Sequence, residues 1–297
     1  MRPPSSPPSL RLLFRHQVNE KGHTIMKLTA LMVLIFMCIV AQAQNTRLEI
    51  LHGKTILLFT PHPDDDVFGA GGTIALLNRN QNKIYIVIYT NDDKGSYDPA
   101  MTSQRLAEIR KHEEEVSEGL IGTPKENITW LGYDDGMLEY ASQPKLVEEA
   151  TAIIRRIRPD VLLSVDPGEW YERWHKTDHR MAAFNTIDAV RAAEFWLYFP
   201  NQRLQQGLQP YKVPEMYFFY PSPQEANYFV NIDDVAELKF DAAAKQVSQF
   251  EPAVNKYRPD WEPADLAKAK SEMRSEQPRK DGHYVEAFRY ATGFVQY

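Results

Sequence analysis

The chain is nearly without cysteine, carrying only Cys38 in 297 residues. A lone thiol closes no intrachain disulfide. Beyond residue 43 there is none, which excludes thiol catalysis and thiolate-ligated metal from the rest of the chain. Long apolar runs are scarce too. The most extended, residues 28–40, falls short of the roughly 20 residues a membrane span requires. Glycine is sparse, at 14 residues. Gly69-Ala70-Gly71-Gly72 lacks the spacing of a dinucleotide-binding loop, and the three acids before it would repel a pyrophosphate. Positive charge is also short. Residues 1–43 hold five of the 34 basic side chains (Arg2, Arg11, Arg15, Lys21, Lys27) and one of the 40 acidic (Glu20), so the remainder has 29 against 39 and a formal charge of -10. Charge of that sign argues against nucleic acid or an anionic membrane as partner.

The first 43 residues read as processing signals rather than as core. Residues 1–25 are Pro- and Ser-rich with scattered Arg and no apolar periodicity, and are expected to be an upstream extension outside the native chain. Met26 and Lys27 then precede the apolar run, which ends in Ala41-Gln42-Ala43. A basic start, a short apolar stretch and an A-x-A end are the parts of a secretory signal peptide, with cleavage expected after Ala43. The alternative is an uncleaved anchor. Ile35-Phe36-Met37 lacks the small residues that would make Cys38 a lipidation site. The expected location is therefore periplasmic or extracellular, with residues 44–297 as a single domain.

From residue 47 to about 191, short β-rich runs alternate with longer helical ones. The runs are 55–60, 84–90, 128–131 and 161–165; helical spacing covers 68–80, 101–120, 144–158 and 179–193. Continuous apolar strands alternating with helices predict an α/β fold, a mostly parallel sheet with helices on both faces. Later residues predict a strand at 216–220 and helices at 235–250 and 261–275, forming a C-terminal cover. Ligands in such sheets lie beyond the carboxyl ends of the strands. The residues just after each run are therefore the first candidates for function.

After the first run comes Pro61-His62-Pro63-Asp64-Asp65-Asp66. Three successive carboxylates beside an imidazole repel one another unless a cation neutralises them, and His and Asp are suitable zinc ligands. The alternative is helix capping by an Asp at the start of 68–80. Capping needs one acid and explains neither His62 nor Pro63. After the fourth run comes Asp166-Pro167-Gly168-Glu169-Trp170-Tyr171-Glu172-Arg173-Trp174-His175-Lys176-Thr177-Asp178-His179-Arg180. Asp178 is placed to cap the helix beginning near His179. Two histidines around an Asp permit a metal ligand, a separate acid and a carboxylate to orient it. Trp170, Tyr171 and Trp174 either stack on a sugar ring or pack the loop. His52, His112 and His283 have no convergent partners in sequence, and the sequon Asn127-Ile128-Thr129 abuts a strand.

These segments together resemble the PIG-L/LmbE-like family of zinc-dependent de-N-acetylases, whose motifs have the forms A/P-H-P-D-D-E and H-x-D-H. Further matches follow in order: Arg110-Lys111-His112-Glu113 to R-x-x-E, Leu131-Gly132-Tyr133-Asp134-Asp135-Gly136 to L-G-Y-x-D-G, Ser248-Gln249 to a late S-Q pair, and Glu286-Ala287-Phe288 to E-x-F. The resemblance implies a Rossmann-like, LmbE-like sheet and a mononuclear Zn2+ site with His62, Asp65 and His179 as ligands. It further implies Asp64 as general base and His175 as acid or oxyanion stabiliser, its charge set by Asp178. Arg110 would hold a substrate hydroxyl or phosphate, and Tyr171 and Trp174 would line the substrate. The expected activity is removal of the N-acetyl group from an N-acetylglucosamine-type sugar or glycoconjugate. The alternatives are a zinc hydrolase of another amide or an ester, and a non-catalytic sugar-binding module on the same fold. Three departures stand out. Asp66 replaces the family Glu, Thr90-Asn91-Asp92-Asp93-Lys94-Gly95 replaces a Gly-containing turn, and Lys176-Thr177 puts two residues between His175 and Asp178 where the family has one.

Overall fold

The computed structural model describes residues 47–168 and 177–292. From Leu48 onward the chain forms one compact unit. Its strands are β1 (Thr55–Thr60), β2 (Lys83–Thr90), β3 (Ile128–Tyr133), β4 (Val161–Val165), β5 (Glu215–Phe219), β6 (Tyr228–Asn231), β7 (Arg279–Lys280) and β8 (His283–Ala291). The helices are α1 (Asp65–Arg79), α2 (Ser103–Ile121), α3 (Gln143–Ile157), α4 (Thr177–Glu194), α5 (Pro200–Leu204), α6 (Ala236–Ala243) and α7 (Pro263–Glu276). One sheet runs β3-β2-β1-β4-β5-β8-β6, with β7 paired to β8. The first five strands are parallel, and β8 runs antiparallel to β5, β6 and β7.

The central strands are apolar on both sides because both faces are covered. On β1, Ile56 and Leu58 face one core with α1, while Leu57 and Phe59 face the other with α3 and α4. The mostly parallel sheet with helices on both faces is thus as expected. The C-terminal segment does more than cover it: β5, β8 and β6 extend the sheet, while α6 packs against α1 and α2.

Two differences from the sequence reading change which residues meet. The first helix begins at Asp65, three residues early, so Asp65 and Asp66 lie on its first turn instead of on a loop. The stretch read as one helix over 235–250 is α6 followed by a separate 3-10 turn at Val247–Gln249. Long-range bonds decide that break. Gln246 Nε2 donates to Glu114 (2.8 Å), and the Ser248 amide donates to Glu113 (2.9 Å), which a continuous helix would not allow. The glycine cluster lies inside α1, where it permits close packing. A Cβ on Gly69 would stand 2.5 Å from the Phe219 ring, and one on Gly72 would stand 2.8 Å from Ile232. Asn127, of the sequon, has its amide bonded to the Ile84 carbonyl (2.8 Å).

After β3 the strand order reverses, and β4 returns beside β1. The carboxyl ends of β1 and β4 therefore open into the crevice where such sheets bind ligands. The segments 61–66 and 166–180 follow those two ends.

Candidate metal centre

His62 leaves β1 in a bend tied to its neighbours. Thr60 Oγ1 donates to the His62 carbonyl (3.2 Å), and the Thr90 amide and hydroxyl both donate to the Pro61 carbonyl (2.9 Å each). Asp64 is the N-terminal flanking residue of α1, with φ +121° and no side-chain capping bond. The capping alternative therefore does not describe it. Beyond Asp64 the helix turns each residue by about 100°, so Asp65 and Asp66 leave in different directions. This is why three adjacent acids have three environments: Asp64 is half-buried, whereas Asp65 and Asp66 are buried.

Asp65 faces two imidazoles. Its Oδ2 lies 3.0 Å from His62 Nδ1 and 3.1 Å from His179 Nε2, and the two rings are 5.3 Å apart. His179 comes from the first turn of α4, across the crevice from α1. Donor atoms of His62, Asp65 and His179 all lie within 4.8 Å of one another. Burial alone would raise the Asp65 pKa, but the histidines on either side hold it well below the usual carboxylate range. Burial likewise opposes charge on His62, yet Asp135, Asp178 and Asp65 outweigh it and raise its pKa well above the ordinary value. An imidazole drawn to a proton by three carboxylates occupies an electrostatic well for a cation. Two imidazoles and one ionised carboxylate, with no thiolate, form a donor set that fits zinc.

Around this trio the other motif residues interlock. Asp178 accepts from the amides of Gly136 (2.6 Å) and Leu138 (3.0 Å), and lies 3.2 Å from His62 Nε2. Its carboxylate thus joins the Gly132–Gly136 turn to a candidate ligand, where the sequence reading had it orient His175. Asp135 reaches the same nitrogen, at 3.2 Å. His175, Tyr171 and Trp174 lie outside the described residues. Arg110 is buried, its guanidinium 2% exposed, paired with Asp92 and donating to the Gly95 carbonyl (2.8 Å), so it holds the 91–95 turn. Gln249 completes that anchor by donating to Asp92 (2.9 Å), while Glu113 accepts from the Ser248 amide (2.9 Å) and hydroxyl (2.6 Å). Glu286 accepts from the Gly72 (2.8 Å) and Thr73 (2.7 Å) amides of α1 and pairs with Lys239 (2.7 Å). Glu286 therefore braces the helix that carries Asp65, while Arg110, Glu113, Ser248 and Gln249 tie α2 to the 91–95 turn and the Val247–Gln249 segment. His52, His112 and His283 are exposed and away from the trio.

Sequence reasoning named Asp92 and Asp135 only within motif segments, with no role of their own, and passed over the buried acids Glu114 and Glu118. The first two sit just past β2 and β3, so the strand-end rule contained the signal. The last two follow Arg110 at spacings of four on the buried stripe of α2. Asp66, with the shorter side chain, meets Glu114 and Glu118 in a group whose carboxylate oxygens lie within 4.8 Å of one another. Burial raises all three pKa values, that of Asp66 to about 6.

That burial has a consequence for stability. A carboxyl whose folded pKa is raised holds a proton that the unfolded chain releases, so its contribution is fully present below the unfolded pKa of about 4.3 and is lost as pH rises through the folded value. Glu118→Gln removes that titration. The variant is expected to melt near wild type at pH 4.5 and above it at pH 8, by about 2–4 °C for each kcal/mol of relief. Calorimetry across that range checks it, and parallel melting curves would refute it.

Comparison with known proteins bears on the family and the fold. The sequence model of the family described as PIG-L, GlcNAc-PI de-N-acetylase, matches residues 57–190. A diacetylchitobiose deacetylase from Thermococcus kodakarensis is 34% identical over 210 residues, 71% of this chain and 74% of that protein. The solved structure of the N,N'-diacetylchitobiose deacetylase from Pyrococcus horikoshii, bound to an inhibitor, superposes with a TM-score of 0.68 at 32% identity, covering 81% of this chain and 84% of that one. A 4-carboxy-2-hydroxymuconate hydratase from Pseudomonas putida shares the fold at 18% identity and a TM-score of 0.59, covering 82% of this chain and 98% of that one.

Proposed function

The chain belongs to the PIG-L family of de-N-acetylases, and from that premise we propose that it is an exported, zinc-dependent hydrolase removing the acetyl group from an N-acetylglucosamine-type sugar or glycoconjugate. The observation that carries the reading is the convergence of His62, Asp65 and His179 within 4.8 Å, with Asp64 beside them half-buried. A fold shared with a hydratase does not specify chemistry; the donor set with Asp64 next to it in the chain is what supports the hydrolytic reading.

A zinc ion held by His62, Asp65 and His179 would supply Lewis-acid polarisation of the acetyl carbonyl and acidification of water. Asp64 then accepts a proton from the attacking water as its oxygen bonds to the carbonyl carbon. The C–N bond breaks, the amine leaves with a proton, and acetate is released. His175 is the residue proposed to donate that proton or to stabilise the oxyanion. Asp178 and Asp135 fix the His62 ring from its far side, a partner arrangement that holds a ligating imidazole in one orientation. A sugar-binding module would need no carboxylate in the position of Asp64.

The direct test is acetate release from N,N'-diacetylchitobiose, N-acetylglucosamine and an N-acetylglucosaminyl conjugate by zinc-loaded protein. Release from at least one supports the reading; a folded, loaded protein inactive on all of them counts against it. Export rests on residues 26–43, which lie outside the described residues, and among the described residues no helix is long and apolar enough to cross a membrane. Expression from Met26 in a bacterium with two membranes should put the protein in the periplasmic fraction, beginning at Gln44. Retention in the cytosol with an intact start would refute the export proposal.

A further inference from the structure

Tyr220 directly follows β5, on the edge that carries the candidate metal centre, and nothing in the motif set singles it out. Its backbone has φ +59°, a conformation L side chains rarely adopt. It is also followed by Pro221, which favours extended backbone in the residue before it. A bulky residue persists in such a conformation when its surroundings dictate it, and these residues gather at functional sites. The surroundings here are two of the three candidate ligands. The phenol hydroxyl donates to the main-chain carbonyl of Asp65 (3.1 Å). The ring lies nearly parallel to His179, at 11° with centroids 6.2 Å apart. The residue is still 39% exposed.

We infer that Tyr220 is a positioning residue for the metal centre, its hydroxyl holding the first turn of α1 and its ring setting the plane of His179. The inference rests on the zinc-hydrolase reading above. Asp65 and His179 belong to different helices, and Tyr220, just past β5, touches both. Its two contacts are separable: replacing the hydroxyl loosens the Asp65 carbonyl, and replacing the ring frees the imidazole to rotate.

Zinc affinity measured by competition with a chelator tests this in the full chain, together with the visible spectrum of the cobalt-substituted protein. Partners of metal ligands typically contribute 10- to 100-fold in affinity. Tyr220→Phe, which keeps the ring, is expected to bind zinc about 10-fold more weakly, and Tyr220→Leu about 100-fold more weakly. Both should shift the cobalt bands, while the metal-free Tyr220→Phe protein melts like the metal-free wild type. Wild-type affinity and spectrum in Tyr220→Phe and Tyr220→Leu would overturn the inference, as would a loss of activity with both unchanged, which would make Tyr220 a substrate contact. Should Tyr220→Leu fail to fold, Tyr220→Phe decides alone. A wild-type chain that takes up no zinc would instead sink the hydrolase reading and this inference with it.

Discussion

Asp64→Asn should retain zinc and fold normally yet lose about 10² to 10⁴ in kcat, the range that a positioned general base contributes. The expectation follows from its place at the start of α1. Asp64 is the half-buried acid of the three, and its side chain makes no capping bond. Asparagine keeps the shape but cannot take a proton. The low-pH limb of kcat/KM, where the base must be ionised, should disappear with it. His175→Ala should act on the opposite limb, with zinc retained, if His175 supplies the proton to the leaving amine. Full activity in Asp64→Asn would remove Asp64 from the mechanism.

Loss of a ligand should be as severe and differently expressed. His62→Ala and His179→Ala are each expected to lower zinc content from about one per chain towards zero and to abolish turnover, because no thiolate stands in reserve. His283→Ala should change neither. His283 is exposed and bonded to Asp233 at 2.5 Å, remote in sequence and structure from the trio. Asp65→Asn should weaken zinc binding, in contrast to Asp64→Asn, because the Asp65 carboxylate is the one between the two imidazoles. Metal analysis of the purified variants separates the cases. Equal zinc in all of them would dismantle the ligand set, and a reversal between Asp64 and Asp65 would exchange base and ligand.

The amino-acid sequence by itself determined the layered α/β architecture. Continuous apolar runs such as 55–60 and 161–165 can be buried only on both faces, and the segments between them have helical period. It also marked the candidate site, because His62 to Asp66 and Asp178 to His179 follow strand ends, and it left no thiol beyond residue 43. What it left open depends on contacts between distant residues. That Asp64, Asp65 and Asp66 point three ways follows from the helix starting at Asp65, a boundary that packing sets and residue types alone do not. The family resemblance gave Arg110 a substrate role; only the fold brings Asp92 and the Gly95 carbonyl to it. The break after α6 arises from Glu113 and Glu114, more than 130 residues away in sequence. Tyr220 looked like the end of an ordinary strand until β5 placed it between α1 and α4. Local pattern reports period and chemistry, whereas the direction of a side chain and the partner that satisfies it are set by the tertiary structure.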